Sequence, residues 1–551
     1  MPAINLFQIS SLEKVYPEYK PANELKEISV LKNERFSYQL AYIGDTLSCR
    51  YDMKIIITSP LSDFISVRSV GSVPSQCPVR GEIDDCYEKT DAGLFPDVLY
   101  PVLDNTIEVL GRVWHSLWIS VNLNGTVNAG TYPITITLRN NEFEVSKTID
   151  IEIIDALLPP QDIIFTQWFH GDCIADYYKT EVFSAAHWDM MEKFIKTASH
   201  NGINMILTPI FTPPLDTYVG GERTAIQLVD IYKEGERYTF GFDKLRKWIE
   251  MCKRNGIIYF EMAHLFTQWG LEFTPNIFAY VDGVQKRIFG WDVASDSPEY
   301  VTFLNQFLPA LDKVLKEEKI NQNTFFHISD EPDSEHLERY NKLKSIVKGI
   351  IPDYTIIDAL SDYEFYSRGT VDCPIPATDC IHTFIENNVP NLWSYYCGAQ
   401  TKNVSNRFMA MPSQRNRIIG LQFYKFNIFG FLHWGYNFYN SALSKKHINP
   451  FLITDCIETY PSGDAFSVYP GEDGPLESLR LVVFYEALQD LRALKLLERY
   501  IGKDEVVKLI ENEAGMEISF DSYPHNKDFL INLRKKINKV IKANISMEEN
   551  I

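Results

Sequence analysis

The segment TFFHISDEPDSEHLERYNKLKSIVKGII (324–351) decides the fold. Its first half, TFFHISDE (324–331), reads as a buried strand built on Phe325, Phe326 and Ile328 and ended by Ser329, Asp330 and Glu331. Pro332 stops the ladder because it has no amide to donate. Ser334 then caps a helix over 334–351. Strand, break and helix make one β-α unit, and the next strand, TIIDALS (355–361), follows at once.

The same alternation extends outward from 162 to about 440. Strands are expected at IIFTQWFH (163–170), INMILTPIF (203–211), IIYFEMAHL (257–265), NLWSYYC (391–397) and FGFLHWGYNFY (429–439). The helices FSAAHWDMMEKFIKTASHNG (183–202) and GFDKLRKWIEMCKRNG (241–256) each end on a glycine. Repeated β-α units of this total length predict a parallel sheet closed as a (β/α)8 TIM-like barrel. Seven strands are readable, and the missing unit is expected near CPIPATDCIHTF (373–384). The alternative is a doubly wound open sheet, which usually carries a Gly-rich phosphate turn after its first strand; none is present.

On the N-terminal side the period changes to two. RFSYQLAY (35–42), YDMKIIITS (51–59), VWHSLWISVNL (113–123), TYPITITLRN (131–140) and FEVSKTIDIEII (143–154) alternate and are separated by turn residues. This predicts an antiparallel β-sandwich, joined to the barrel through ALLPPQD (156–162). On the C-terminal side LESLRLVVFYEALQDLRALKLLERYIG (476–502) carries a 3.6-period apolar stripe, and a charged helical tail ends in a frayed SMEENI. The expected organisation is multidomain α/β: a sandwich over 1–158, a catalytic barrel over 159–475, and a helical segment over 476–551 packing on the barrel.

Composition narrows the function. Of 551 residues, 45% are hydrophobic and 23% charged, an ordinary globular balance. Lys and Arg total 53 and Asp and Glu 73, so the net charge is 53 − 73 = −20. Such a surface repels phosphate backbones and anionic lipid, which argues against nucleic-acid and membrane partners. No apolar run approaches membrane-spanning length, and the N-terminus lacks a basic start followed by an apolar stretch. Nine scattered cysteines without a C-x-x-C pair read as free thiols of a reducing compartment, so a cytoplasmic location is expected. In that setting the sequons at Asn124, Asn403 and Asn544 carry no meaning.

The chemistry concentrates on Asp330 and Glu331. The carboxyl ends of barrel strands form the active-site face, and acids there have a functional reason that acids on an outer helix lack. Neighbours on a regular strand point to opposite faces, so these two converge on one ligand only where Pro332 breaks the strand. The structural alternative is a pair of acids at the N-terminus of the next helix. Glu261 is a spare carboxylate on another strand. His264, His327 and His433 lie near strand ends; no i, i+4 His pair is present, and no metal is expected.

Three elements in order resemble glycoside hydrolase family 123 and the related domain of unknown function 4091: SDEP (329–332), NLWSYYC (391–397), and the run from GLQFYKFNIFGFLHWGYNFY (420–439) to GDAFSVYPGEDGPLESLRLVVFYEALQDLRAL (463–494). The resemblance implies a retaining β-N-acetylgalactosaminidase without cofactor, in which the 2-acetamido oxygen of the sugar attacks its own anomeric carbon. It assigns Glu331 as general acid and base, and Asp330 as the carboxylate that orients the acetamide and stabilises an oxazolinium intermediate. Candidate sugar contacts at other strand ends are Trp168, His170, His264, Trp393, Tyr395, Trp434 and Asn437, with Trp393 and Tyr395 on one face by strand parity. The substrate class is a glycan or glycolipid ending in β-GalNAc, and an oligomer is compatible with the apolar C-terminal helix. A glycosidase for a non-acetamido sugar and a non-catalytic sugar binder are the alternatives.

Overall fold

A computed structural model describes residues 4–22, 24–332 and 334–548, without the side chains of Ser334, Met547 and Glu548. The chain forms two compact units, one of residues 1–161, 401–426 and 476–551, the other of 162–400 and 427–475.

The first unit holds the sandwich. One sheet has the strand order Ile4–Ser10, Arg35–Gly44, His115–Asn122, Ile65–Ser75, Gly93–Pro101. The other runs Glu27–Leu31, Glu144–Ile154, Gly130–Arg139, Arg50–Thr58, Thr106–Leu110. All pairings are antiparallel except that of Glu27–Leu31 with Glu144–Ile154, which is parallel. The period-2 pattern sets the inner face: Ile134, Ile136 and Leu138 are buried with Tyr38, Leu40, Leu117 and Ile119 in one core.

Helices complete this unit. The long helix Leu479–Ile501 is capped by Ser478, whose hydroxyl accepts from the Leu481 amide. Buried arginines bind residues 401–426 to it. Arg417 reaches Asp490 at 2.7 Å and Glu486 at 2.8 Å, Arg534 bridges Asp490 and Glu34, and Arg415 grips Asp84. Charges this deep are tolerated only with such paired, multiply bonded geometry.

The second unit is the barrel. Its strands are β1 (Ile164–Gln167), β2 (Met205–Thr208), β3 (Tyr259–Met262), β4 (Thr324–Phe326), β5 (Thr355–Ala359), β6 (Cys373–Ile375), β7 (Trp393–Tyr395) and β8 (Gly430–His433). All neighbours are parallel, and β8 pairs β1 from Ile164↔Gly430 to Gln167↔His433. Closure between β6 and β7 is made just past β6, where Tyr395 donates to the Pro376 carbonyl at 3.0 Å and Thr378 to that of Tyr395 at 2.9 Å. The missing unit is therefore β6, three residues long and interrupted by Pro374. Its shortness is why periodicity did not show it.

The strands are shorter than the apolar runs suggest, because the runs continue into ordered loops at the carboxyl edge. Two hairpins also went unread: Asp230–Glu234 with Arg237–Gly241, and Ile277–Val281 with Val284–Phe289, which together form a four-stranded sheet. The second turns on Asp282-Gly283, both left-handed, a sequence signal for a hairpin. The helix expected from 334 begins at Leu337 after a short turn, and the side chain of Ser334 lies outside the described residues. The end of the SMEENI tail, 549–551, does too. No disulfide joins the described cysteines, and no described helix is long and apolar enough to cross a membrane.

Barrel packing sets a measurable constraint at Gly430. A Cβ there would come within 2.2 Å of the Trp393 indole. Gly430→Ala is expected to cost about 1–3 kcal/mol by overpacking, seen as a lowered denaturation midpoint with unchanged slope.

Candidate active site

The strand expected over 324–331 stops at Phe326. Beyond it the chain leaves the sheet but stays tied on both sides. Leu265 and Phe266 donate to the carbonyls of His327 and Ile328, Trp269 donates to that of Asp330 at 3.1 Å, and Glu331 donates to that of Ala359 at 3.1 Å. The Ile328 amide, which a ladder would have used, turns instead to the Asp358 carboxylate at 3.1 Å, and Ser329 follows at 3.3 Å. Glu331 adopts φ 45°, a left-handed conformation costly for a residue with a Cβ. That turn ends the strand alternation and leaves Asp330 half-buried and Glu331 exposed at the barrel's carboxyl edge.

Tyr395, the last residue of β7, donates its hydroxyl to Glu331 Oε1 at 2.7 Å. Burial and then the Glu331 charge hold this phenol well above its usual range, so it remains a donor. Asp330 is pushed well above the carboxylate range, first by burial, then by Glu331, with Asp358 and Asp216 adding to the rise and His327 opposing it. Two acids side by side cannot both ionise freely, and the Glu331 charge is the second cause of the rise at Asp330.

Beneath the pair lies a fully buried network. His327 Nδ1 faces Asp358 at 3.3 Å and Nε2 faces Glu261 at 3.0 Å. Burial alone would lower this imidazole, but the bonds to Asp358 and Glu261 and their charges reverse that and raise it to about 9. It is an imidazolium between two carboxylates. Glu261 also accepts from Thr166 Oγ1 and, at 3.2 Å, from the Trp168 indole. Asp358 also accepts from the Tyr340 hydroxyl. His264 stacks on His327 with centroids 4.3 Å apart and planes at 16°, and burial and the His327 charge press it well below its usual range.

The sequence candidates separate accordingly. Trp168 and Trp393 are barrel core, the first spent on Glu261 and the second wedged over Gly430. Parity does place Trp393 and Tyr395 on one face, but Trp393 lies a layer deeper and only Tyr395 reaches the acids. His170 is buried, accepts from Arg223 on Nδ1 at 3.0 Å, and faces the Trp434 carbonyl through Nε2 at 3.1 Å. Burial and the Arg223 charge lower it to about 4, so it is neutral. Asn437 spends both ends of its amide on the His170 backbone, at 2.9 and 3.0 Å. His170 and Asn437 thus support Trp434 instead of facing a ligand. Trp434 is half-buried, with its indole N–H on Asp464 at 3.0 Å. Neither ring nitrogen of buried His264 has a partner among the described residues.

Three acids were missed. Asp358 stands alone in an apolar strand, a signal that a buried carboxylate needs a partner. Asp216, on the loop after β2, accepts from Tyr460 Oη at 2.7 Å and from the Leu443 amide at 3.1 Å, while Asp464 orients Trp434. No local pattern marks either. His264, His327 and Asp358 bring ligand atoms within 4.8 Å of one another. Both His327 nitrogens already face carboxylates and the two rings lie face to face, so their lone pairs do not converge as a metal requires.

The charged state of His327 links to stability. Its folded pKa of about 9 exceeds the ordinary 6.5, so its contribution is complete below pH 6.5 and is lost as pH rises through 9. The stability of the parent minus that of His327→Gln, followed by denaturation, is expected to fall between about pH 7 and 9.5. A constant difference across that range would mean that His327 is neutral.

The glycoside hydrolase 123 catalytic-domain model matches residues 168–497. The fold is similar to that of a family 123 glycoside hydrolase from Clostridium perfringens, with a TM-score of 0.75, 15% identity and coverage of 99% of both chains. A Parabacteroides merdae β-glucuronidase (TM-score 0.32, 10% identity, 89% of this chain and 51% of that one) and a Thermotoga petrophila endo-β-1,4-mannanase (0.34, 13%, 61% and 78%) are far less similar. No curated protein matches in sequence. With the model spanning more than half its length, the chain belongs to glycoside hydrolase family 123 and is a glycoside hydrolase.

Proposed function

We propose that the enzyme releases terminal β-linked N-acetylgalactosamine with retention, using the sugar's own 2-acetamide as nucleophile. The observation that carries this reading is the placement of the carboxylates. Asp330 and Glu331 share one strand break, whereas Glu261, the spare acid for ordinary double displacement, is sealed beneath them by Thr166, Trp168 and His327. Neighbouring acids suit neighbouring targets, and the glycosidic oxygen and the 2-acetamide are adjacent on the sugar.

In this mechanism the acetamido N–H donates to Asp330 and favours its anion. Glu331, whose carboxyl the Tyr395 hydroxyl aligns, is the proton donor. Glu331 protonates the departing oxygen as the acetamide oxygen closes on the anomeric carbon. The cationic ring that results is stabilised by Asp330. Glu331, now a base, takes a proton from the water that reopens the ring, and the configuration is restored after two inversions. Trp434, held by Asp464, offers the half-buried aromatic face against the sugar. His264, neutral and unpartnered on the pocket floor, is the donor or acceptor for a sugar oxygen. The relative from Clostridium perfringens is described as acting on glycolipid glycans, and a β-GalNAc-terminated glycolipid or glycan is the substrate class proposed here.

A panel of aryl β-glycosides differing at carbons 2 and 4 tests the reading. The GalNAc glycoside is expected to turn over and its 2-hydroxy analogue is not; cleavage of both at similar rates would remove substrate assistance. Glu331→Gln should lower kcat by about 10²–10⁴, and Asp330→Asn by about 10²–10³, with folding retained. A GalNAc-derived thiazoline should bind at least about 10² times more tightly than GalNAc.

A further inference from the structure

The loop after β3 carries Trp269. Of the chain's nine tryptophans it alone is exposed, at 49%, the others being buried or half-buried. Among the described residues no aromatic ring packs on it, so a large apolar face is left to water. Its backbone is held all the same. The Trp269 amide donates to the Asp330 carbonyl at 3.1 Å, Ser329 Oγ donates to the Thr267 carbonyl at 2.9 Å, and Arg339 donates to that of Gly270 at 2.9 Å. Trp269 and Leu271 are both left-handed, at φ 54° and 55°. Strain of this kind persists where surrounding contacts enforce it, and it gathers at ligand sites.

A second exposed aromatic accompanies it. Gln268 clasps the loop after β2, accepting from the Asp216 amide at 2.6 Å and donating to the Thr217 carbonyl at 2.9 Å. Tyr218 and Trp269 each directly follow a residue of that clasp, and Tyr218 is 43% exposed. The inner end of the clasp is Asp216, close enough to Asp330 to raise it. The two aromatics therefore flank the reacting pair on its outer rim. Glu331, the acid of the proposed reaction, is itself exposed and directly follows Asp330, whose carbonyl the Trp269 amide holds.

We propose that Trp269, with Tyr218 beside it, is the platform for the leaving-group sugar: the hexopyranose to which the released residue was attached stacks its apolar C–H face there. This rests on the assignment of Glu331 as the acid. It makes Trp269 a determinant of aglycone choice, separate from the pocket that reads the terminal sugar.

The test compares parent, Trp269→Ala and Trp269→Phe on two probes. One is the disaccharide GalNAc-β-1,3-galactose, and the other is GalNAc-thiazoline, which fills only the terminal-sugar pocket. Trp269→Ala is expected to lose about tenfold in kcat/KM on the disaccharide, the scale of one aromatic contact. Its thiazoline inhibition constant should stay unchanged, and Trp269→Phe should recover most of the loss. Unchanged disaccharide kinetics in Trp269→Ala would overturn the platform. So would a parallel loss in both probes, which would place Trp269 in the terminal-sugar pocket or the fold. A parent that neither binds the thiazoline nor cleaves the disaccharide counts against the acetamido reading instead. The platform is then judged by the same comparison on the disaccharide that the parent does cleave.

Discussion

The site depends on one buried charge triad. His327, protonated, sits fully buried between Glu261 and Asp358. Removing ions from solvent is costly, and that cost is met only when each charge has bonded partners in fixed geometry. Here the partners come from four elements: Thr166 and the adjoining Trp168 from β1, Glu261 from β3, Asp358 from β5, and Tyr340 from the helix after β4. The triad therefore fixes where β4 must end. Asp358 takes the amides of Ile328 and Ser329 out of the sheet, and the segment bearing Asp330 and Glu331 has one course left open to it.

That arrangement links structure to electrostatics. The triad holds a protonated His327 between two buried acids, below a pair of acids that is itself crowded. Asp330 feels burial and Glu331 as upward pressures and His327 as a downward one. These opposing pressures leave the Asp330 carboxyl above its ordinary range. A network that looks purely structural thus acts on the proton affinity of Asp330.

Much of this was legible in order and little of it in depth. The β-α rhythm from 162 to about 440 showed the barrel, and SDEP marked the break after β4, because strand periodicity and proline breaks are local properties. Trp393 and Tyr395, two apart on β7, share one core cluster. Which of them lines the pocket depends on height along the barrel axis, and Gly430 on the neighbouring strand settles it by making room for the Trp393 indole. His170 and Asn437 lie past the ends of β1 and β8, where they bond to each other, and His170 to Arg223, a residue from a distant loop that no spacing connects to them. The buried arginines of 413–417 show the same limit. Their carboxylate partners at 84, 486 and 490 draw 401–426 to the sandwich unit, though chain order sets that stretch among barrel strands.

From the chain of residues alone came the class of fold, the acidic surface and the two neighbouring carboxyls at a proline break, since each is a matter of composition or of contacts a few residues apart. Tertiary structure alone decided which acids are exposed, which are locked away, and which carries the raised proton affinity. Those properties are set by desolvation and by charges brought together from separate strands, and neither quantity exists until the barrel has closed.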